Sequence, residues 1–171
     1  TRKENTVPQW VYQKVSFESI NDTLQIVLHL ANFHHHKGGA MNPIYLGTDR
    51  AIRKHYHWSI GSNVFEAAVL LLEGLIFLFV YKRKQKPVIL YFALLCLTWS
   101  LRSIFSNLYP LVLVVPEFSW QWLVKIEYIT LYLTVIWAAL FFHTLFKDIS
   151  NTIFTYLPIV INLFFMVFTL F

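Results

Sequence analysis

The stretch that decides the fold is residues 62–86, SNVFEAAVLLLEGLIFLFVYKRKQK. About 20 mostly apolar residues, each adding 1.5 Å of helical rise, match a membrane hydrocarbon core of roughly 30 Å. The basic cluster that follows is typical of the cytoplasmic side of a span. The cluster consists of Lys82, Arg83, Lys84 and Lys86. We therefore expect a first membrane span at 62–81 and extracytoplasmic residues before it.

The composition separates two regions that suit different solvents. The chain has 171 residues, of which 57% are hydrophobic and 13% charged, whereas a soluble domain has about 25% charged residues. Residues 1–60 resemble soluble protein, and the apolar excess follows Ser62. The formal net charge of +5 does not indicate nucleic-acid binding, because four of the fourteen Lys and Arg residues belong to the basic cluster. The bilayer is the expected partner.

Three further apolar runs predict spans at about 87–107, 123–146 and 152–171, so that 59–171 is a helical transmembrane region. The short linker after the first span predicts a tight antiparallel helical hairpin. Prolines and tryptophans in 108–122 are typical of an outer loop with interfacial aromatic residues. The first residues, 1–5, are not followed by the apolar region of a signal peptide, and the sequence stops within an apolar run; we therefore expect a fragment of a longer protein.

Residues 1–58 are expected to form the end of an antiparallel β-sandwich outside the membrane. Residues 14–20 and 23–31 alternate polar and apolar side chains, as half-buried strands do. A short third strand is predicted at 43–47, and 48–57 is either a helical turn or a last strand. Three strands without partners are marginal alone, so only part of a domain is expected here.

A run of histidines, His34–His36, with His29 nearby, raises the question of a metal site. Consecutive residues on an extended segment point to alternate sides, so three of them rarely converge on one ion. Acidic or cysteine ligands at supporting spacing are absent, and Cys96 is the single cysteine. A solvated loop is the favoured interpretation, and no metal or cofactor is expected.

Ionisable residues inside the lipid each need a partner or an aqueous cavity. Counting helical rise places Glu66 and Arg102 both roughly 22 Å above the cytoplasmic boundary. Glu127 enters the third span at a similar level, with Lys125 beside it. We predict an intramembrane cluster of Glu66, Arg102 and Glu127 with Lys125 at its rim. Its role is either structural, through charge-assisted hydrogen bonds, or that of a two-state element coupling the outer domain to the helices.

Glu73 is a separate, lone acid nearer the middle of the membrane. No basic residue in the spans lies at its depth, and His143 is too close to the inner end. Glu73 is therefore either protonated, paired with a helix from outside this chain segment, or part of a proton or ion site.

Two groups of residues carry a family resemblance. The first is Asn32-Phe33-His34 with Gly38-Gly39, Pro43-Ile44 and Leu46-Gly47; the second is Leu101-Arg102 with Pro116, Trp120 and Lys125-Ile126-Glu127-Tyr128. With these the chain resembles the bacterial seven-transmembrane receptors with diverse intracellular signalling modules. The resemblance implies an extracytoplasmic jelly-roll sensor, often thought to bind carbohydrate-like ligands, and four of seven spans. It also implies a multi-pass protein of the bacterial inner membrane.

The expected function is therefore transmembrane signalling, in which binding of a small extracytoplasmic ligand shifts the helices and reaches a cytoplasmic output module outside this fragment. The resemblance implies that the parent protein carries an output module such as a histidine kinase, a nucleotide cyclase, a phosphatase or a DNA-binding domain, whereas the fragment itself is not expected to be an enzyme. Signalling receptors commonly dimerise, so a homodimer is among the expected partners. The alternative is a transporter or channel component with an extracytoplasmic β-domain, in which Glu73 or the outer cluster lines a pathway.

Overall fold

Helices make up the regular structure of the part of the chain that can be described. The computed structural model describes residues 13–18, 25–29, 43–106 and 108–170. Within them lie α1 (Asp49–Lys84), α2 (Pro87–Phe105), α3 (Pro110–Val114), α4 (Trp120–Leu145) and α5 (Thr152–Leu170). The chain divides into two units, 1–58 and 59–171, and the boundary falls within α1.

The predicted β-sandwich is wrong. Residues 13–18, 25–29 and 43–48 contain no strand, and helix begins at Asp49. Polar–apolar alternation over five or six residues is a weak signal, because it becomes a strand only where a neighbouring strand takes up the backbone hydrogen bonds. The histidine run and Gly38-Gly39 lie outside the described residues.

The start of α1 is stabilised by side chains at its first turn. Thr48 Oγ1 accepts a hydrogen bond from the Ala51 amide at 3.4 Å, as an N-cap residue does. Asp49, in the first turn, pairs with Arg53 one turn later and with Lys14, and it also complements the helix dipole. The hydrogen bond from Lys14 holds the pKa of the Asp49 carboxyl below its usual value. These contacts favour helix over a last strand at 48–57.

A two-residue turn joins α1 to α2. Gln85 has a positive φ of 50°, and its amide donates to the Tyr81 carbonyl at 2.7 Å, ending the helix. Pro87 is the first residue of α2, where its missing N–H costs no hydrogen bond. The turn therefore folds the two helices into an antiparallel hairpin, in which Phe77 meets Phe92 edge-on with ring centroids 4.7 Å apart.

Gly74 sets how closely α1 and α2 approach. A Cβ atom placed on Gly74 would lie 2.7 Å from both Cγ and Cδ2 of Leu97, and 3.3 Å from the Ala93 carbonyl oxygen. Both distances are shorter than ordinary van der Waals contact. A residue with any side chain would therefore push the hairpin apart or displace Leu97.

The other long helices also pack antiparallel. Tyr91 of α2 stacks on Trp137 of α4 with ring centroids 6.5 Å apart, and Tyr132 of α4 stacks on Phe165 of α5 at 6.1 Å. The α1–α2 turn and the α4–α5 turn consequently lie at one end of the bundle. The loop between α2 and α4 lies at the other end.

The outward surface of the long helices is apolar. α1, α2, α4 and α5 are each long and apolar enough to cross a membrane. Large side chains such as Phe65, Leu72, Phe164 and Phe168 are 61–74% exposed. Such a surface would be costly in water but suits lipid. The arrangement is compatible with a multi-pass membrane protein.

Candidate functional site

Polar side chains near the end of α2 connect it to both neighbouring helices. The indole N–H of Trp99 donates to Glu66 Oε1 on α1 at 3.1 Å. The adjacent Ser100 hydroxyl is buried and donates to the Ala67 carbonyl at 2.7 Å. On the side facing α4, the Arg102 guanidinium donates to a main-chain carbonyl, that of Glu127, at 2.7 Å. α2 is therefore hydrogen-bonded to α1 and to α4 within four residues.

The carboxylate of Glu127 has a partner from the loop between α2 and α4. The phenol of Tyr109 donates to Glu127 Oε2 at 3.3 Å. Burial, followed by the negative charge of Glu127 and this hydrogen bond, raises the pKa of Tyr109 to about 12. Tyr109 has a φ of 50°, a left-handed conformation that costs energy in a residue with a side chain. The bond to Glu127 fixes the loop to α4 despite this strain.

The predicted cluster is brought together in part, because Arg102 and Glu127 are in contact while Glu66 and Lys125 bond to residues outside the cluster. Arg102 meets the main chain of Glu127, whereas Glu66 bonds to Trp99. Lys125 donates to the Leu170 carbonyl on α5 at 2.8 Å and lies 5.7 Å above the Trp122 ring. Among the described residues, no ion pair joins the four side chains. Together they link α1, α2, α4 and α5 at one end of the bundle.

Glu73 lies apart from these contacts. Its side chain is exposed on α1, and no residue in the described ranges forms a hydrogen bond or an ion pair with it. The next residue, Gly74, is buried against α2. Glu73 therefore lies exposed beside the α1–α2 seam.

The basic cluster ends α1 and forms the turn after it. Lys82, Arg83 and Lys84 occupy the last turn of the helix, where positive charge complements the helix dipole. The Arg83 guanidinium lies 5.0 Å above the Phe79 ring. Its aliphatic stem thus covers apolar surface while its charge stays near the helix end, as expected at a membrane interface.

A polar triangle at the α4–α5 turn was not predicted from the sequence. His143 Nδ1 lies 3.0 Å from Ser150 Oγ and 3.2 Å from Thr155 Oγ1, and the two hydroxyls are 3.2 Å apart. An open cavity of about 400 Å³ adjoins it, with mostly aromatic and aliphatic walls. The sequence feature that could have predicted the triangle is the short turn between the two helices. Such a turn brings polar residues of the last turn of α4 and the first turn of α5 together. The triangle ties these two helices at the turn.

Trp99 and Tyr109 were also missed, although each bonds to an acid that the sequence singled out. The contacts that hold this bundle together are mostly hydrogen bonds from neutral donors or to main-chain carbonyls, which stabilise membrane helix packing. No family model, curated protein or solved structure matches this chain.

Proposed function

We propose that this chain is the membrane-spanning part of a signalling receptor and that α2 is the helix that couples the two ends of its bundle. The observation that carries the proposal is the pair of bonds from Trp99 and Arg102, which tie α2 to α1 on one side and to α4 on the other. A displacement at the loop end of α2 would thereby be passed to both neighbouring helices. Signal transmission of this kind is a shift between two populated arrangements.

The proposal includes an orientation in the bacterial inner membrane. Four basic residues lie at the α1–α2 turn, whereas the loop 106–119 at the other end contains no Lys or Arg and one acid, Glu117. This asymmetry favours a cytoplasmic location for the α1–α2 turn. The turn end of the bundle would then face the output module of the receptor.

The polar side chains bond to neighbouring helices, and this supports a receptor over a transporter. A transport pathway needs polar groups that line an aqueous route, whereas Ser100, Arg102 and Lys125 are bonded to neighbouring helices. The resemblance of 101–102 and 125–128 to the seven-transmembrane receptors with diverse intracellular signalling modules supports the same assignment. The β-sandwich that this resemblance implied is not part of the proposal.

Transport is the second candidate function, and Glu73 is the observation that favours it. An exposed carboxyl group within a membrane helix is the kind of residue that binds a proton or a cation during transport. In that case, protein reconstituted into liposomes would pass protons or monovalent cations, and Glu73→Gln would abolish the flux. If the chain is part of a receptor, neither the unsubstituted protein nor Glu73→Gln should give a flux above that of protein-free liposomes.

The coupling role of α2 can be measured as a distance. Spin labels at Gln85→Cys and Lys147→Cys, in a Cys96→Ala background, report the separation of the two turns at the proposed cytoplasmic end. Arg102→Gln breaks the bond to Glu127 at the opposite end of α2, and we expect it to shift or broaden the distance distribution. Glu117→Gln, which also removes one charge at that end but lies exposed in the loop, should leave it unchanged. Identical distributions for Arg102→Gln and the unsubstituted protein would contradict the proposal.

A further inference from the structure

The face of α1 that carries Glu73 has no partner helix in the described part of the chain. Ala67 and Gly74 are the buried residues of α1 and face α2. Roughly 130–150° around the helix from them lie residues spaced by four, three and four positions, so that they share one face. This Glu73 stripe consists of Val69, Glu73, Ile76 and Val80.

The stripe has the spacing of a helix–helix seam. Alternating steps of three and four residues keep side chains on the line along which two parallel helices touch. Val69 and Ile76 are 39% and 51% exposed. A β-branched side chain such as these is stiff and loses little rotamer freedom when it packs. A single polar residue within such a seam fixes register and the number of helices, and Glu73 lies at that position.

An exposed carboxyl group at this depth is unfavourable without a partner. Glu73 lies eight residues before Tyr81, or roughly 12 Å from the end of the apolar stretch. A charged side chain near the centre of a membrane helix is energetically costly. Two carboxyl groups that share a proton can bond to each other, one donating and one accepting. A glutamate on a seam is therefore complementary to its own copy.

We propose that α1 pairs in parallel with α1 of a second copy through the Glu73 stripe, with the two Glu73 carboxyl groups hydrogen-bonded across the interface. Two copies inserted in the same orientation present this stripe to each other about a two-fold axis along the membrane normal, so every residue of the stripe meets its own counterpart. The proposal requires that α1 crosses a bilayer. It does not depend on the chain being a receptor.

Disulfide cross-linking in native membranes tests the seam, because the natural Cys96 is buried and is replaced by Ala in the background. Val69→Cys and Ile76→Cys are expected to form cross-linked dimers on oxidation. Leu71→Cys and Leu75→Cys are matched controls, since they are 47% and 52% exposed on the opposite face of the same helix, and should remain monomeric. Three results would overturn the proposal. The cysteines on the two faces could cross-link equally, none of the four variants could cross-link, or the cysteines of the stripe could cross-link only to a different protein.

The role of Glu73 is tested by the dimer dissociation constant, measured by energy transfer as labelled protein is diluted in liposomes. Glu73→Gln keeps a donor and an acceptor and should leave the dissociation constant within about twofold. Glu73→Leu should raise it about three- to twentyfold, the range that interhelical hydrogen bonds provide in membranes. An unchanged dissociation constant for Glu73→Leu would overturn the hydrogen-bonded seam. The dimer dissociation constant does not depend on the result of the liposome flux assay. The proposed function and the proposed α1 dimer can therefore fail independently of each other.

Discussion

At Gly74 the lack of a side chain allows α2 to lie against α1, and a Cβ atom there would contact Leu97 at 2.7 Å. We predict that Gly74→Ala destabilises the protein by about 1–3 kcal/mol, the usual cost of overpacking. Gly61 lies in the same helix with nothing within 4 Å of a built Cβ atom. Gly61→Ala should therefore stabilise the helix by about 0.5–1 kcal/mol through lower chain entropy. The free energy of unfolding in mixed micelles measures the effect of each substitution. If the two substitutions changed it equally, α1 and α2 would not approach closely at Gly74.

Tyr109 allows a test by titration, because its pKa is raised from 10.0 to about 12. The folded state keeps the phenol protonated longer than the unfolded state does, so its contribution to stability is complete below about pH 10 and is lost as the pH rises toward 12. We predict that the tyrosinate absorbance of the folded protein contains one late component near pH 12. Tyr109→Phe should remove that component alone. A titration in which this variant loses a component near pH 10 would contradict the bond to Glu127.

At the scale of elements, the transmembrane helices were predictable and the strands were not. Continuous apolar runs of about 20 residues have few alternatives to a membrane helix. Short alternating segments such as 14–20 and 43–47 depend on partner strands that periodicity cannot reveal. A helical turn at 48–57 was one of two alternatives, but its continuity with the span in one helix was not predicted. The cap at Thr48 and the pair between Asp49 and Arg53, which start that helix, lie outside the apolar run by which the span was located.

The connection between α4 and α5 gives a prediction at the same scale. Thr155→Val preserves the shape of the side chain but removes the hydroxyl that bonds His143 and Ser150. We expect a loss of about 0.5–1.5 kcal/mol in the free energy of unfolding, typical of a hydrogen bond, and a wider separation of α4 and α5 by distance labels. Thr152→Val, at the exposed start of α5, is the control and should change neither quantity. Indistinguishable behaviour of the two variants would show that the triangle does not hold the turn.

At the scale of the whole molecule, the sequence indicated which charges matter but not which atoms they meet. Helical rise gives the depth of Glu66, Arg102 and Glu127, yet it does not give the rotation of each helix or the position of the intervening loop. Arg102 consequently meets the carbonyl of Glu127, while Tyr109 reaches its carboxylate from the loop. Such partners depend on how the helices pack, and only the folded arrangement shows them.

In the proposed topology, 59–171 forms a bundle of membrane-crossing helices with the α1–α2 turn on the cytoplasmic side. The most direct test is the accessibility of single cysteines, in a Cys96→Ala background, to a membrane-impermeant reagent in sealed vesicles of known orientation. The proposed topology predicts that Gln85→Cys reacts only from the cytoplasmic side and Val115→Cys, in the loop between α2 and α4, only from the opposite side. Reaction of both positions from the same side, or the reverse pattern, would contradict the account.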